Sequence, residues 1–277
     1  MSHDRESPSP EPVLYEVVDR VAVITLSRPH RRNAWTGRMH AAYRLALERA
    51  ELDSGVRAII VTGAENSFCV GADSAALDGH VDKGGYDSGL RSEPAMPGAG
   101  TDDRFEADFA YHFALTKPVI AAINGAAAGV GLVLACYADI RFAVPGAKLT
   151  TAHGRLNLPG EYGLTWLLPR LIGAARATEL LFTSRIFTTD EAHRIGLIHE
   201  LHKPSSLLAA TLRWTTALLS DVSAGSLAAS KRQIYTDLHG DIRSSVEDAQ
   251  RRLDQMTTEP DYAQGVRALL DRTSPNF

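Results

Sequence analysis

Lys117-Pro118-Val119-Ile120-Ala121-Ala122-Ile123-Asn124-Gly125-Ala126-Ala127-Ala128-Gly129-Val130-Gly131 joins an apolar run of strand length to a glycine-rich turn, and residues 132–137 continue it as an apolar helix. A short run with no polar face describes a strand covered on both sides, as in parallel sheets flanked by helices. The glycines allow a tight reversal between strand and helix. The helix that follows turns its first N–H groups, and the positive end of its dipole, toward whatever lies beyond the turn, so an anion could sit there. Close strand-to-helix packing alone would account for the same glycines.

The rhythm of strand and helix continues on both sides of this stretch. Residues 13–18 and 21–26 are β-branched and apolar around Asp19-Arg20, which predicts a hairpin, and Arg28-Pro29 stops its second strand. Thr36 is an N-cap type, and Met39, Tyr43, Leu47 and Ala50 recur at helical spacing, predicting a helix to about residue 53. Further strands are predicted at 58–61 and 139–143 and a helical stretch at 105–115. This alternation argues for an α/β architecture. Residues 78–103, rich in Gly, Ser, Asp and Pro, predict a long surface loop of the kind that often serves as a lid. After about residue 205, Leu207, Leu208, Leu212, Trp214 and Leu218 predict an almost wholly helical ending. We read a flexible tail at 1–12, a core at 13–204 and a helical region at 205–277.

The 277 residues are 44% hydrophobic, enough for a large core. A net charge of −4 offers no broad attraction for nucleic acid or anionic membrane. The two cysteines, Cys69 and Cys136, lack C-x-x-C spacing, so a reducing, cytoplasmic setting is the expectation. The first twelve residues carry no apolar signal core and no stretch is long and apolar enough to span a bilayer, which disfavours secretion and membrane insertion.

Three segments stand out together. They are Arg28-Pro29-His30-Arg31-Arg32-Asn33-Ala34, then Asn66-Ser67-Phe68-Cys69-Val70-Gly71-Ala72-Asp73, and the stretch quoted first, with Asp139-Ile140-Arg141 beyond it. In this order the chain resembles the enoyl-CoA hydratase/isomerase (crotonase) superfamily, from about Val13 to Phe277. The resemblance implies a spiral of ββα units followed by a helical trimerisation region, with assembly into trimers or dimers of trimers. It also implies an acyl-CoA thioester as substrate and no metal or redox cofactor. By resemblance, the backbone N–H groups of Ala72 and Val130 form an oxyanion hole. Arg31, Arg32, Ala34, Ala72, Asp73 and Gly129 border the CoA substrate. The chemistry is coherent, because moving a proton next to a thioester puts negative charge on the carbonyl oxygen, which preorganised backbone donors can hold.

Both glutamates that hold the water in the best-known hydratases are missing: their positions fall on Val133 and His153. Valine cannot move a proton. His153 could, or it could be a structural histidine. Eight residues on, Glu161 stands where dienoyl-CoA isomerases of the superfamily carry an acid. It also precedes an apolar helix, where a carboxylate would stabilise the helix dipole. We favour catalysis by Glu161, with His153 as a second candidate. One carboxylate suits double-bond isomerisation, or another enolate reaction, better than classical hydration, although the family makes hydratase the nominal expectation. The alternatives are a catalytically silent acyl-CoA binder and a β-diketone carbon–carbon hydrolase. Among lesser features, Thr188-Thr189-Asp190-Glu191 predicts a capping box, the Lys231-Arg232 and Arg251-Arg252 pairs predict a solvated helix face, and His199 and His202 lack a third metal ligand.

Overall fold

The computed structural model describes residues 11–83, 97–98 and 102–277. It opens with β1 (Val13–Val18) and β2 (Val21–Leu26), an antiparallel hairpin. Its two turn residues, Asp19 and Arg20, both have positive φ, the geometry that matches the twist of paired strands. Next comes α1 (Gly37–Leu52), where the Thr36 hydroxyl accepts from the Met39 N–H as an N-cap. Three repeats then follow, each giving one strand to each of two sheets and then a helix. The first is β3 (Ala58–Gly63), β4 (Ser67–Cys69) and α2 (Ser74–Lys83). The second is β5 (Val119–Ile123), β6 (Ala126–Ala128) and α3 (Val130–Tyr137). The third is β7 (Ile140–Ala143), β8 (Lys148–Thr150) and α4 (Leu164–Ile172).

α5 (Ala174–Thr183), β9 (Phe187–Thr188), α6 (Thr189–Arg194) and β10 (Glu200–Leu201) complete the two sheets. One sheet runs β1-β2-β3-β5-β7-β10, parallel beyond the first hairpin; the other runs β4-β6-β8-β9, with β4, β6 and β8 parallel. The main core lies where α1, α3 and α4 cover these strands. The rest of the chain is α7 (Leu207–Asp221), α8 (Ala224–Asp237), α9 (Ile242–Met256) and α10 (Pro260–Asp271), and α7 covers the other face of the larger sheet.

Four expectations need correction. The expected helix at 105–115 is instead two short 3-10 turns, Asp103–Phe105 and Ala110–Phe113. Phe105, Phe109, Tyr111, His112 and Phe113 are all buried while Glu106 and Ala107 are exposed, and Phe109 breaks any helix between the two turns with φ of 64°. The predicted loop at 78–103 begins inside α2, which runs to Lys83; residues 84–96 and 99–101 lie outside the described residues. Lys231 is not part of a solvated face. It is buried, and its ammonium donates to Asp139 and to the Lys117 carbonyl. At Thr188 the side chain caps α6 as expected, but the Glu191 carboxylate pairs with Arg185.

Candidate active site

β4 and β6 are parallel neighbours, with Ser67 opposite Ala126 and Cys69 opposite Ala127, so the turns at their C-terminal ends emerge side by side. One turn passes through Gly71 and Ala72 toward α2, the other through Gly129 into α3. Both glycines have positive φ, 96° and 49°. A Cβ on Gly71 would lie 3.0 Å from the Ala128 carbonyl oxygen, and one on Gly129 would lie 3.9 Å from the Gly71 Cα. The turns therefore touch, and a side chain at Gly71 would force them apart.

The main-chain donors of these turns can be accounted for one by one. Trp35 N–H donates to the Gly71 carbonyl and Asp73 N–H to the Trp35 carbonyl, a pairing that passes over the Ala72 N–H. Gly129 N–H donates to the Thr150 carbonyl. Val130 is the first residue of α3, where an N–H has no acceptor within its own helix. Among the described residues, neither the Ala72 nor the Val130 N–H has an acceptor. Two adjacent unengaged amides, one of them at a helix N-terminus, suit a developing oxyanion.

The first motif holds one of these turns in place. Asn33, at φ of 58°, donates through Nδ2 to the carbonyls of Ala64 and Ser67 and accepts from the Arg28 N–H. Arg28 donates to the carbonyl of buried Ala34 and pairs with Asp73 at 2.9 Å. Asp73 also takes Arg31 at 3.0 Å and the Ala75 N–H. The hydrogen bond from Arg31 does most to hold its carboxyl down at about 2, against the opposing effect of burial. Arg31 thus spans Asp73 and Ser74, with its guanidinium still partly exposed. Arg32 is exposed and closes the preceding 3-10 turn with φ of 52°. A surface cavity of about 380 Å³, lined by Arg28, His30, Arg31, Thr36, Asp73 and Ala75, opens at this loop.

α3 is anchored at its other end. Arg141 is buried and donates to the carbonyls of Ala135, Cys136 and Ala138, placing positive charge at the helix C-terminus. Asp139 accepts from the Val119 N–H, Lys231 and Tyr235, tying α3 to β5 and α8. Val133 is packed in the core. Burial pushes the Cys69 thiol up to about 12, so it is a core residue and not a nucleophile.

Glu161 lies beside the Gly129 turn. Its Oε2 is 3.9 Å from where a Cβ on Gly129 would stand. α4 starts at Leu164 with Gly163 as its N-cap and no acidic residue in its first turn, so the carboxylate does not cap the helix. Burial raises the Glu161 carboxyl above the usual glutamate value, with His153 pulling it back. His153 is 7% exposed, and its Nδ1 has no hydrogen-bond partner among the described residues. One residue that the sequence did not single out belongs here: the Tyr137 hydroxyl donates to the Tyr162 carbonyl at 2.7 Å, next to Glu161. An aromatic ring at the end of an apolar helix reads as ordinary core, so no pattern marks it.

Two sheets wound as a spiral, with adjacent inner turns beside a half-buried carboxylate, define the crotonase class of fold. The enoyl-CoA hydratase/isomerase family model matches residues 16–277, and the chain belongs to that family. It is 33% identical over 267 residues to the 1,2-epoxyphenylacetyl-CoA isomerase of Escherichia coli, covering 96% of this chain and 97% of the relative. It is 40% identical over 187 residues, 68% of each chain, to the probable enoyl-CoA hydratase EchA14 of Mycobacterium tuberculosis. The crystal structure of an enoyl-CoA hydratase from M. tuberculosis H37Rv superposes with a TM-score of 0.82 at 25% identity, covering 96% of this chain and 98% of that one.

Proposed function

We propose that this acyl-CoA enzyme shifts a double bond next to a thioester, with Glu161 as the sole carboxylate that moves the proton. Glu161 takes a proton from the carbon beside the thioester carbonyl, the enolate oxygen settles between the Ala72 and Val130 amides, and the proton returns further along the acyl chain. The observation that carries this reading is the Glu161 carboxylate lying against the Gly129 turn, while the two hydratase positions hold Val133 and His153. The E. coli relative, a 1,2-epoxyphenylacetyl-CoA isomerase, supports isomerase chemistry on an acyl-CoA in general. Burial favours the choice of Glu161, since a raised carboxyl is better matched to proton transfer near neutral pH.

Arg31 and Asp73, which line the cavity beside the first motif, would border the CoA moiety together with Arg32, Ala34, Ala72 and Gly129. His153 stands as a second proton carrier. The exposed apolar side chains Ile242, Val246 and Leu253 of α9 support assembly into a trimer or a dimer of trimers, which sedimentation of the purified chain tests.

The test is incubation with 2-enoyl- and 3-enoyl-CoA thioesters, products being separated by chromatography and weighed by mass spectrometry, alongside Glu161→Gln and His153→Ala. Isomerised product lost in Glu161→Gln supports the reading. Equal turnover by the wild type and both variants overturns the proton-carrier assignment. Tight binding without turnover, or cleavage of a β-diketone without CoA, would replace isomerisation with one of the two alternative functions.

A further inference from the structure

Glu161 sits at the start of a strained turn. Tyr162 and Gly163 follow it with φ of 48° and 72°, two successive left-handed residues of which the first is an aromatic that disfavours that region. Toward α4, the Leu164 N–H donates to the Glu161 carbonyl, and the Trp166 and Leu167 N–H groups donate to the Gly163 carbonyl. From outside the turn, α3 adds a bond, where Tyr137 donates its hydroxyl to the Tyr162 carbonyl at 2.7 Å. The fit is close: a Cβ on Gly163 would lie 2.8 Å from the Tyr137 oxygen. The Tyr137 ring is 5% exposed and packs against Phe113 and Phe109, and Phe109 in turn meets the Tyr162 ring edge-on.

The same helix carries Val130 at its first position and Tyr137 at its last. Its far end is fixed by Arg141 on the carbonyls of Ala135, Cys136 and Ala138. We infer that Tyr137 is a positioning residue, and that α3 acts as a ruler setting Glu161 at a fixed place relative to the Val130 amide. The inference rests on the proposed role of Glu161. Tyr137 touches no reacting atom. Its hydroxyl holds the strained turn so that the carboxylate meets the substrate carbon and the amide meets the carbonyl oxygen in one geometry.

A double-mutant cycle with Tyr137→Phe and Glu161→Gln tests this, with kcat and KM measured on the best thioester of the panel. Tyr137→Phe keeps the ring and removes the hydroxyl. Misplacing a catalytic group by about 1 Å can cost on the order of 100-fold, so kcat should fall about 10- to 100-fold with KM nearly unchanged. In the Glu161→Gln background the same substitution should cost nothing further, because the group it positions is gone. The acidic limb of the wild-type pH profile should move to lower pH in Tyr137→Phe, as a loosened turn lets water reach the carboxylate.

Thr189→Val is the control: it removes another buried hydroxyl bond, to the Val144 carbonyl away from α3, and should lower the melting temperature without changing kcat. If Tyr137→Phe fails to fold, Gly163→Ala displaces the same hydroxyl and should give the same kcat loss. An unchanged kcat in Tyr137→Phe, or an equal loss in both backgrounds, overturns the inference while leaving Glu161 with its role. Wild-type turnover by Glu161→Gln overturns the reading of Glu161 and this inference with it.

Discussion

Lys231 of α8 donates to the Asp139 carboxylate at 2.8 Å, joining two residues 92 positions apart at the root of α3. The ammonium is almost fully buried and its partner mostly so. Removing one member of such a pair leaves the other charge without its counter-ion, which costs about 3 kcal/mol. Lys231→Met should therefore lower the urea midpoint at neutral pH, although it adds apolar volume to the interior. An unchanged midpoint would show that Tyr235 and the Val119 N–H suffice for Asp139.

Asp73 makes stability depend on acid. Its carboxyl is held at about 2, below the ordinary 3.8, chiefly by the hydrogen bond from Arg31. A depressed carboxyl stabilises the fold above its unfolded value, and that stability is lost as pH falls from about 4 toward 2. With Arg31 partly exposed and screened, the contribution is about 1–2 kcal/mol. Denaturation at pH 5 and pH 3 should show a drop in the wild type and a smaller one in Asp73→Asn. Equal drops would remove Asp73 as the cause.

Glu161 works the other way. Its carboxyl is raised by burial, so the fold gains from its protonated form at low pH and loses that gain as pH rises through the raised value. At pH 7 Glu161→Gln should thus melt no lower than the wild type, while kcat falls about 100-fold or more. In the wild type, turnover should rise with pH along a limb displaced above the usual glutamate value, and that limb should vanish in the variant. A variant that loses stability and activity together would make Glu161 a structural residue.

Gly131 is fixed by a close approach. A Cβ there would stand 2.1 Å from the Cys69 carbonyl oxygen, a backbone atom that cannot swing away. Gly131→Ala must push α3 off β4, separating the two donor turns. We expect a loss of at least about 3 kcal/mol in urea denaturation, or no folded protein at all. A variant of wild-type stability would mean that α3 and β4 have room to part.

Much of this was legible in the chain. The hairpin at Asp19-Arg20, the Thr36 cap and the buried strand before Gly129 follow from residue pattern, because each depends on near neighbours in sequence. What pattern misses is long-range. Lys231 reads as a solvated cation until Asp139 is folded against it, and the aromatic segment around Phe109 imitates a helix until a left-handed Phe109 splits it into two 3-10 turns. At the site, the family register draws attention to Glu161, which stands beside Gly129, whereas the Tyr137 hydroxyl reaches a carbonyl 25 residues away.

The account stands on two neighbouring amides and one carboxylate making an enolate together. The most direct measurement is solvent exchange at the carbon beside the thioester, followed by NMR for 3-enoyl- and saturated acyl-CoA in D₂O. The wild type should incorporate deuterium there and Glu161→Gln should not. Val130→Pro, which deletes one amide hydrogen at the first position of a helix, where proline is tolerated, should slow exchange by roughly 100- to 1,000-fold. A folded Val130→Pro enzyme exchanging at the wild-type rate would contradict it.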